Sequence, residues 1–97
     1  MILELAILDI KPGLDRDFES DFSRAKSIIA SMPGYVSHTL HKSLENELRY
    51  VLLVTWEKLE DRTEGFRKST EYQRWRSLLH HYYDPLPSVE HYSLVTV

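Results

Sequence analysis

Apolar and polar positions along the chain change period several times, and each change marks an element. Ile2 to Ile10 is rich in Ile and Leu and predicts a strand, closed by Lys11-Pro12-Gly13. From Leu14 to Met32 the apolar positions Phe18, Phe22, Ala25, Ile29 and Met32 recur at helical spacing with charges between them, and Pro33-Gly34 stops that helix. Tyr35 to Lys42 alternates as a half-buried strand does. Glu45-Asn46-Glu47 is a polar turn and Arg49 to Trp56 a second β-rich run, so the two strands form a hairpin. Leu59 to Lys68 reads as a short charged helix in which Glu60-Asp61-Arg62-Thr63-Glu64 suits a solvated face. Ser69 then serves as the N-cap of a helix from Thr70 to about Tyr82, with Tyr72, Trp75, Leu79 and Tyr82 on its apolar side. Asp84-Pro85-Leu86-Pro87 breaks it, and Val89 to Val97 is a closing strand.

The order βαββαβ predicts an α+β fold with a four-stranded antiparallel sheet, as a single domain over residues 1–97. The first and third strands belong in the centre. Leu3, Leu5 and Ile7 point one way and Ile2, Ala6, Leu8 and Ile10 the other, while Val51 and Leu53 oppose Tyr50, Leu52, Val54 and Trp56. Strands apolar on both sides are buried on both faces. The second and fourth strands carry Ser37, His38, Thr39, Glu90 and Ser93, which suits edges. Two helical segments cover one face of such a sheet, so the other predicts a second copy of the chain: a homodimer through the open face of the sheet. A domain this small hides about two-thirds of its unfolded surface, so association also helps its stability.

Composition narrows the function classes. A net charge of −3 with basic residues scattered among acidic ones gives no nucleic-acid interface. No stretch approaches the ~20 apolar residues of a membrane span. The apolar start MILELAILD is short, is interrupted by Glu4 and Asp9, and lacks the basic region of a signal peptide, so the expected location is cytoplasmic. The absence of cysteine removes disulfides, thiolate nucleophiles and zinc-thiolate sites. Five histidines invite a metal reading, but His38 and His41 fall on opposite faces of a strand, and His80 and His81 diverge by about 100° on a helix. No metal site is expected.

The candidate chemistry gathers on the last helical segment, in Tyr72, Trp75, Arg76, His80 and Tyr83, with His91 on the closing strand. Aromatic walls with one or two histidines suit a flat, small hydrophobic or aromatic ligand. The competing reading is plain packing. Aromatic residues at helical spacing are more often core than pocket, His80 near a helix C-terminus favours the dipole, and His91 fits a structural role.

The chain also resembles the antibiotic biosynthesis monooxygenase (ABM) domain family over essentially its whole length. The resemblance rests on Lys11-Pro12-Gly13, Pro33-Gly34-Tyr35, Trp56 and the run Phe66-Arg67-Lys68-Ser69-Thr70-Glu71-Tyr72-Gln73-Arg74-Trp75. It implies ferredoxin-like monomers forming a dimeric α+β barrel. The family includes cofactor-free oxygenases of polycyclic phenols, heme-degrading oxygenases and quinol-handling proteins. Many members carry a histidine where this chain has Phe66 and another where it has Glu71. The heme-degrading members use an Asn, a Trp and an iron-ligating His at positions that hold Ala6, Phe66 and Arg76 here, which argues against that mechanism. What the resemblance implies is a monooxygenase acting on a small phenolic or quinol-like compound without a cofactor. His80 and His91 are its candidate catalytic bases; Tyr72, Trp75, Arg76 and Tyr83 are its candidate substrate contacts. The alternative is a non-catalytic binding or sensing protein on the same scaffold.

Overall fold

The computed structural model describes all residues, 1–97. Its sheet has the order β2-β3-β1-β4, with β1 at Ile2–Asp9, β2 at Tyr35–Lys42, β3 at Arg49–Trp56 and β4 at Val89–Ser93. Every pairing is antiparallel, so the first and third strands occupy the centre as their two-sided apolar pattern requires. Across the centre Ile2 faces Trp56 and Asp9 faces Arg49.

The closing strand is shorter than predicted. Ser93 pairs with Ile2, the first residue of β1, so a strand running on to Val97 would have no backbone partner. Leu94, Val95 and Val97 are accordingly exposed.

Helix α1 spans Asp15–Ala30 and buries Phe18, Phe22, Ala25, Ile28 and Ile29. Asp15 and Asp17 in its first turn complement the positive end of the helix dipole. Gly34 follows with φ +84°, and a Cβ there would overlap the Asp61 carboxyl group. That carboxyl also accepts the Lys58 N–H at 3.1 Å, so the close approach ties the end of the first helix to the start of the second helical region.

The predicted helix at 59–68 takes a wider form. Asp61–Phe66 is a π-helical turn in which the Arg67 N–H reaches the Arg62 carbonyl, five residues back, at 3.0 Å. Arg62 is 8% exposed, which corrects the expectation of a solvated face at that position. Helix α2 is Thr70–Leu79, and the Ser69 hydroxyl caps it by accepting the Tyr72 N–H at 3.0 Å. A tighter turn over His80–Tyr82 continues it. The Lys11 N–H bonds the Tyr82 carbonyl at 2.9 Å and Ile10 bridges to Tyr83, fastening the end of α2 to the end of β1.

The core lies between the helices and one face of the sheet. Ala6, Leu8, Tyr50, Leu52, Val54 and Trp56 are buried there against Phe18, Phe22, Ile29, Phe66, Trp75 and Leu79. On the other face Leu3, Leu5, Val51 and Leu53 are half-buried and Ile7 is exposed, with no helix over them. No helix is long and apolar enough to cross a membrane.

Candidate functional site

A cavity of about 390 Å³ opens on the helix-covered side of the sheet. Glu4, Ala6, Leu8, Leu52 and Val89 form its floor, and Arg62, Phe66 and Arg67 of the wide turn form one wall. Tyr72, Trp75, Arg76 and His80 contribute the α2 side, and Tyr83, Leu86 and Pro87 close it where the chain turns back toward β4. A volume of this size holds a small molecule. Five of the six residues expected from sequence therefore stand around one space. The sixth, His91, does not: it is exposed on β4, in register with Glu4 but outside the lining.

The aromatic walls are fixed by edge-to-face packing. The Phe66 ring meets Tyr72 at 5.1 Å and Trp75 at 5.7 Å between centroids, both close to perpendicular. Tyr72 and Trp75 are buried in the core and also present surface to the cavity.

His80 sits between two tyrosines, with ring centroids 6.1 Å from Tyr72 and 5.6 Å from Tyr83. A helix C-terminus would favour its cationic form. Burial, with the charges of Arg76 and Arg67, shifts the imidazole below its ordinary range, which favours the neutral form. Burial, with the neighbouring Tyr72, pushes the Tyr83 phenol up. The hydroxyls of Tyr35, Tyr50, Tyr82 and Tyr92 bond to His38, Glu19, Asp21 and Glu90. The other two tyrosines, Tyr72 and Tyr83, make no such bond, and both line the cavity.

The deepest polar group is Glu4, 3% exposed on the sheet floor. Its Oε1 accepts the Trp56 Nε1–H at 2.9 Å and the Arg62 Nε–H at 3.0 Å. Both bonds use one oxygen, so Oε2 is free to receive a donor from a ligand. Sequence reasoning missed this group. Glu4 interrupts the apolar alternation on the core side of β1, and a lone acid among buried positions is a signal for a hidden partner. Arg67 was missed for another reason: at α-helical pitch residues 62 and 67 diverge, and the extra residue in the π turn brings 62, 66 and 67 onto one wall.

Ala6, Phe66 and Arg76, where heme-degrading relatives are expected to carry Asn, Trp and His, all face this same cavity. No three His, Asp or Glu side chains converge in a way that would hold a metal ion. A second, more open recess of about 400 Å³ lies beside α1 and β2, where Tyr50 already bonds Glu19 and Lys42 already pairs with Asp15.

The sequence profile described as "Antibiotic biosynthesis monooxygenase" matches residues 1–78. The chain is 53% identical over 92 residues to YczJ, an uncharacterized protein of Bacillus subtilis, covering 95% of this chain and 97% of the relative. A crystal structure from Bordetella bronchiseptica, provisionally named an antibiotic biosynthesis monooxygenase, superimposes with a TM-score of 0.93 at 33% identity, covering 98% of this chain and 97% of that one. SnoaB of Streptomyces nogalater, a cofactor-independent oxygenase, shares the fold with a TM-score of 0.77 at 20% identity, over 99% of this chain and 94% of that one.

Proposed function

Because the chain belongs to the antibiotic biosynthesis monooxygenase family, we propose that it is a cytoplasmic, cofactor-independent monooxygenase of a small phenolic or quinol-like aromatic compound. It works as a homodimer joined through the open face of the sheet. The observation that carries the reading is the half-buried His80 in the wall of an aromatic cavity, between two tyrosines whose hydroxyls have no protein partner.

The chemistry follows from that placement. A flat substrate slides between the Phe66, Tyr72 and Trp75 surfaces and the sheet floor. His80, unprotonated, accepts the proton of the substrate's phenol or acidified C–H, and Tyr72, Tyr83 and the free oxygen of Glu4 orient its oxygens. The resulting anion is electron-rich enough to give electrons to molecular oxygen directly. A ring CH2 becomes C=O, one oxygen atom stays in the product and the other leaves as water, all electrons coming from the substrate. Solvent exclusion by Trp75, Tyr83 and Leu86 protects the oxygenated intermediate. His91 is outside the lining and takes no step in this scheme.

Dimerisation rests on the uncovered face. Leu3, Leu5, Ile7, Val51 and Leu53 form an apolar centre, with Ser37, Thr39, His41 and Glu90 as a polar rim on the flanking strands. Each 100 Å² of that centre removed from water contributes roughly 2.5 kcal/mol.

Oxygen uptake with an anthrone, followed against quinone formation, tests the reading. The expected result is one oxygen consumed per quinone, with the rate falling about a hundredfold or more in a folded His80→Ala variant. Binding of the anthrone without oxygen consumption favours a binding or sensing protein instead.

A further inference from the structure

The cavity has the opposite charge to the chain around it. The whole protein carries a net charge of −3, yet the lining contains Arg62, Arg67 and Arg76 against the single carboxylate of Glu4. Arg62 is committed to Glu4 at 3.0 Å. Arg67 and Arg76 are not: the acids that form ion pairs elsewhere hold Arg24, Lys42, Arg49 and Lys68. Both unpaired guanidinium groups stand at the opening, exposed toward solvent while lining the space within.

Their positions are set by packing. The Arg67 guanidinium lies over the Tyr72 ring, 5.1 Å from its centroid, held there by the cation–π attraction. Arg76 is one helical turn before His80 and so shares its side of α2. Arg67, Arg76 and His80 all line the same cavity. Two like charges on one cavity, with fourteen of the fifteen acidic residues outside its lining and none paired to them, form a receptor for an anion.

We propose that Arg67 and Arg76 form an anion-binding subsite at the mouth of the cavity, and that the ligand is a hydroxylated aromatic acid whose carboxylate they hold while its ring enters the aromatic pocket. This rests on the reading of the cavity as a ligand site and adds to it the class of substituent the ligand carries. Guanidinium groups suit the task because their paired N–H donors match the two oxygens of a carboxylate. The ring then lies between the Phe66, Tyr72 and Trp75 surfaces and the sheet floor, and its hydroxyl points inward to His80 and Glu4. The carboxylate thereby also fixes which end of the ligand enters first.

Calorimetric titration of the intact protein with 6-hydroxy-2-naphthoic acid, whose hydroxyl and carboxylate lie at opposite ends of the ring system, and with 2-naphthol tests this. The acid is expected to bind about tenfold tighter at low salt, with the advantage shrinking as ionic strength rises. In an Arg67→Gln/Arg76→Gln variant with an unchanged melting temperature, the acid should lose that advantage while 2-naphthol keeps its affinity. Equal affinities in the unmodified protein, or a preference for the acid that survives in the double variant, overturns the anion subsite and leaves the cavity reading standing. Binding of neither compound overturns both.

Discussion

Glu4 Oε1 accepts the indole N–H of Trp56 at 2.9 Å across 52 residues of sequence, and the same oxygen takes the Arg62 Nε–H at 3.0 Å. The first central strand, the end of the third and the wide turn thus meet at one buried atom, beside the cavity floor. Removing the carboxylate in Glu4→Ala strands the Arg62 charge in an apolar setting, where it is 8% exposed. The expected loss is about 3 kcal/mol, read as a lower urea midpoint with an unchanged slope. Glu4→Gln keeps an acceptor for Trp56 and should lose less. An equal loss in both variants would show that shape rather than charge holds the site.

The contrast between Glu4 and its neighbours shows what the sequence discloses. The apolar runs of β1 and β3 are local patterns, so the strand order with these two strands at the centre was legible from them. The side of α2 that carries Tyr72, Trp75 and His80 was legible for the same reason, since one helical period places those residues. The Glu4–Arg62 pair joins residues 58 apart and leaves no periodic trace. The π turn that brings Arg67 to the cavity wall is a matter of backbone bonding, including Arg67 N–H to Arg62 C=O, which no pattern of side chains announces. The end of β4 is fixed by where β1 begins, a fact about pairing rather than about the residues Leu94 to Val97.

His80 is expected to titrate below the ordinary histidine range, because burial disfavours its cation and Arg76 and Arg67 repel it. A depressed folded-state value means that the unfolded chain binds the proton first as pH falls through about 6.5. This group therefore leaves stability untouched above that pH and lowers it progressively below. The neutral base likewise keeps its function under pH 6.5, so the acid limb of the oxygen-uptake profile should fall below the ordinary histidine value. NMR titration of the imidazole checks this directly, and Arg76→Gln should move the midpoint upward.

Gly34 has φ +84°, and any Cβ placed on it meets the Asp61 carboxyl. Two penalties combine in Gly34→Ala: the left-handed backbone costs an alanine about 1 kcal/mol, and the overlap displaces the carboxyl that holds the Lys58 N–H. Since that carboxyl opens the wide turn carrying Arg62 and Arg67, damage should spread to the cavity wall. The expected result is a lower melting temperature with weaker ligand binding. By comparison Gly13, also at positive φ (+82°) but with nothing within 4 Å of an added Cβ, should tolerate alanine with the smaller backbone penalty alone.

Leu5 and Leu53 face each other in register at the middle of the uncovered sheet face. A carboxylate there costs little in a monomer, because neither residue is fully buried and the side chain reaches water. In a homodimer joined through this face it is buried against its counterpart, and two like charges brought together out of water cost several kcal/mol. Leu53→Asp should therefore shift sedimentation from a dimer to a monomer at micromolar concentration, and the melting temperature should become independent of concentration. Thr39→Asp, on the rim opposite Leu53 in the outer strand, should leave the assembly intact. If Leu53→Asp sediments as the unmodified protein does, the sheet face is not the interface. If the monomer it produces still consumes oxygen with an anthrone, the cavity on the helix side works within one chain and the mate serves stability alone.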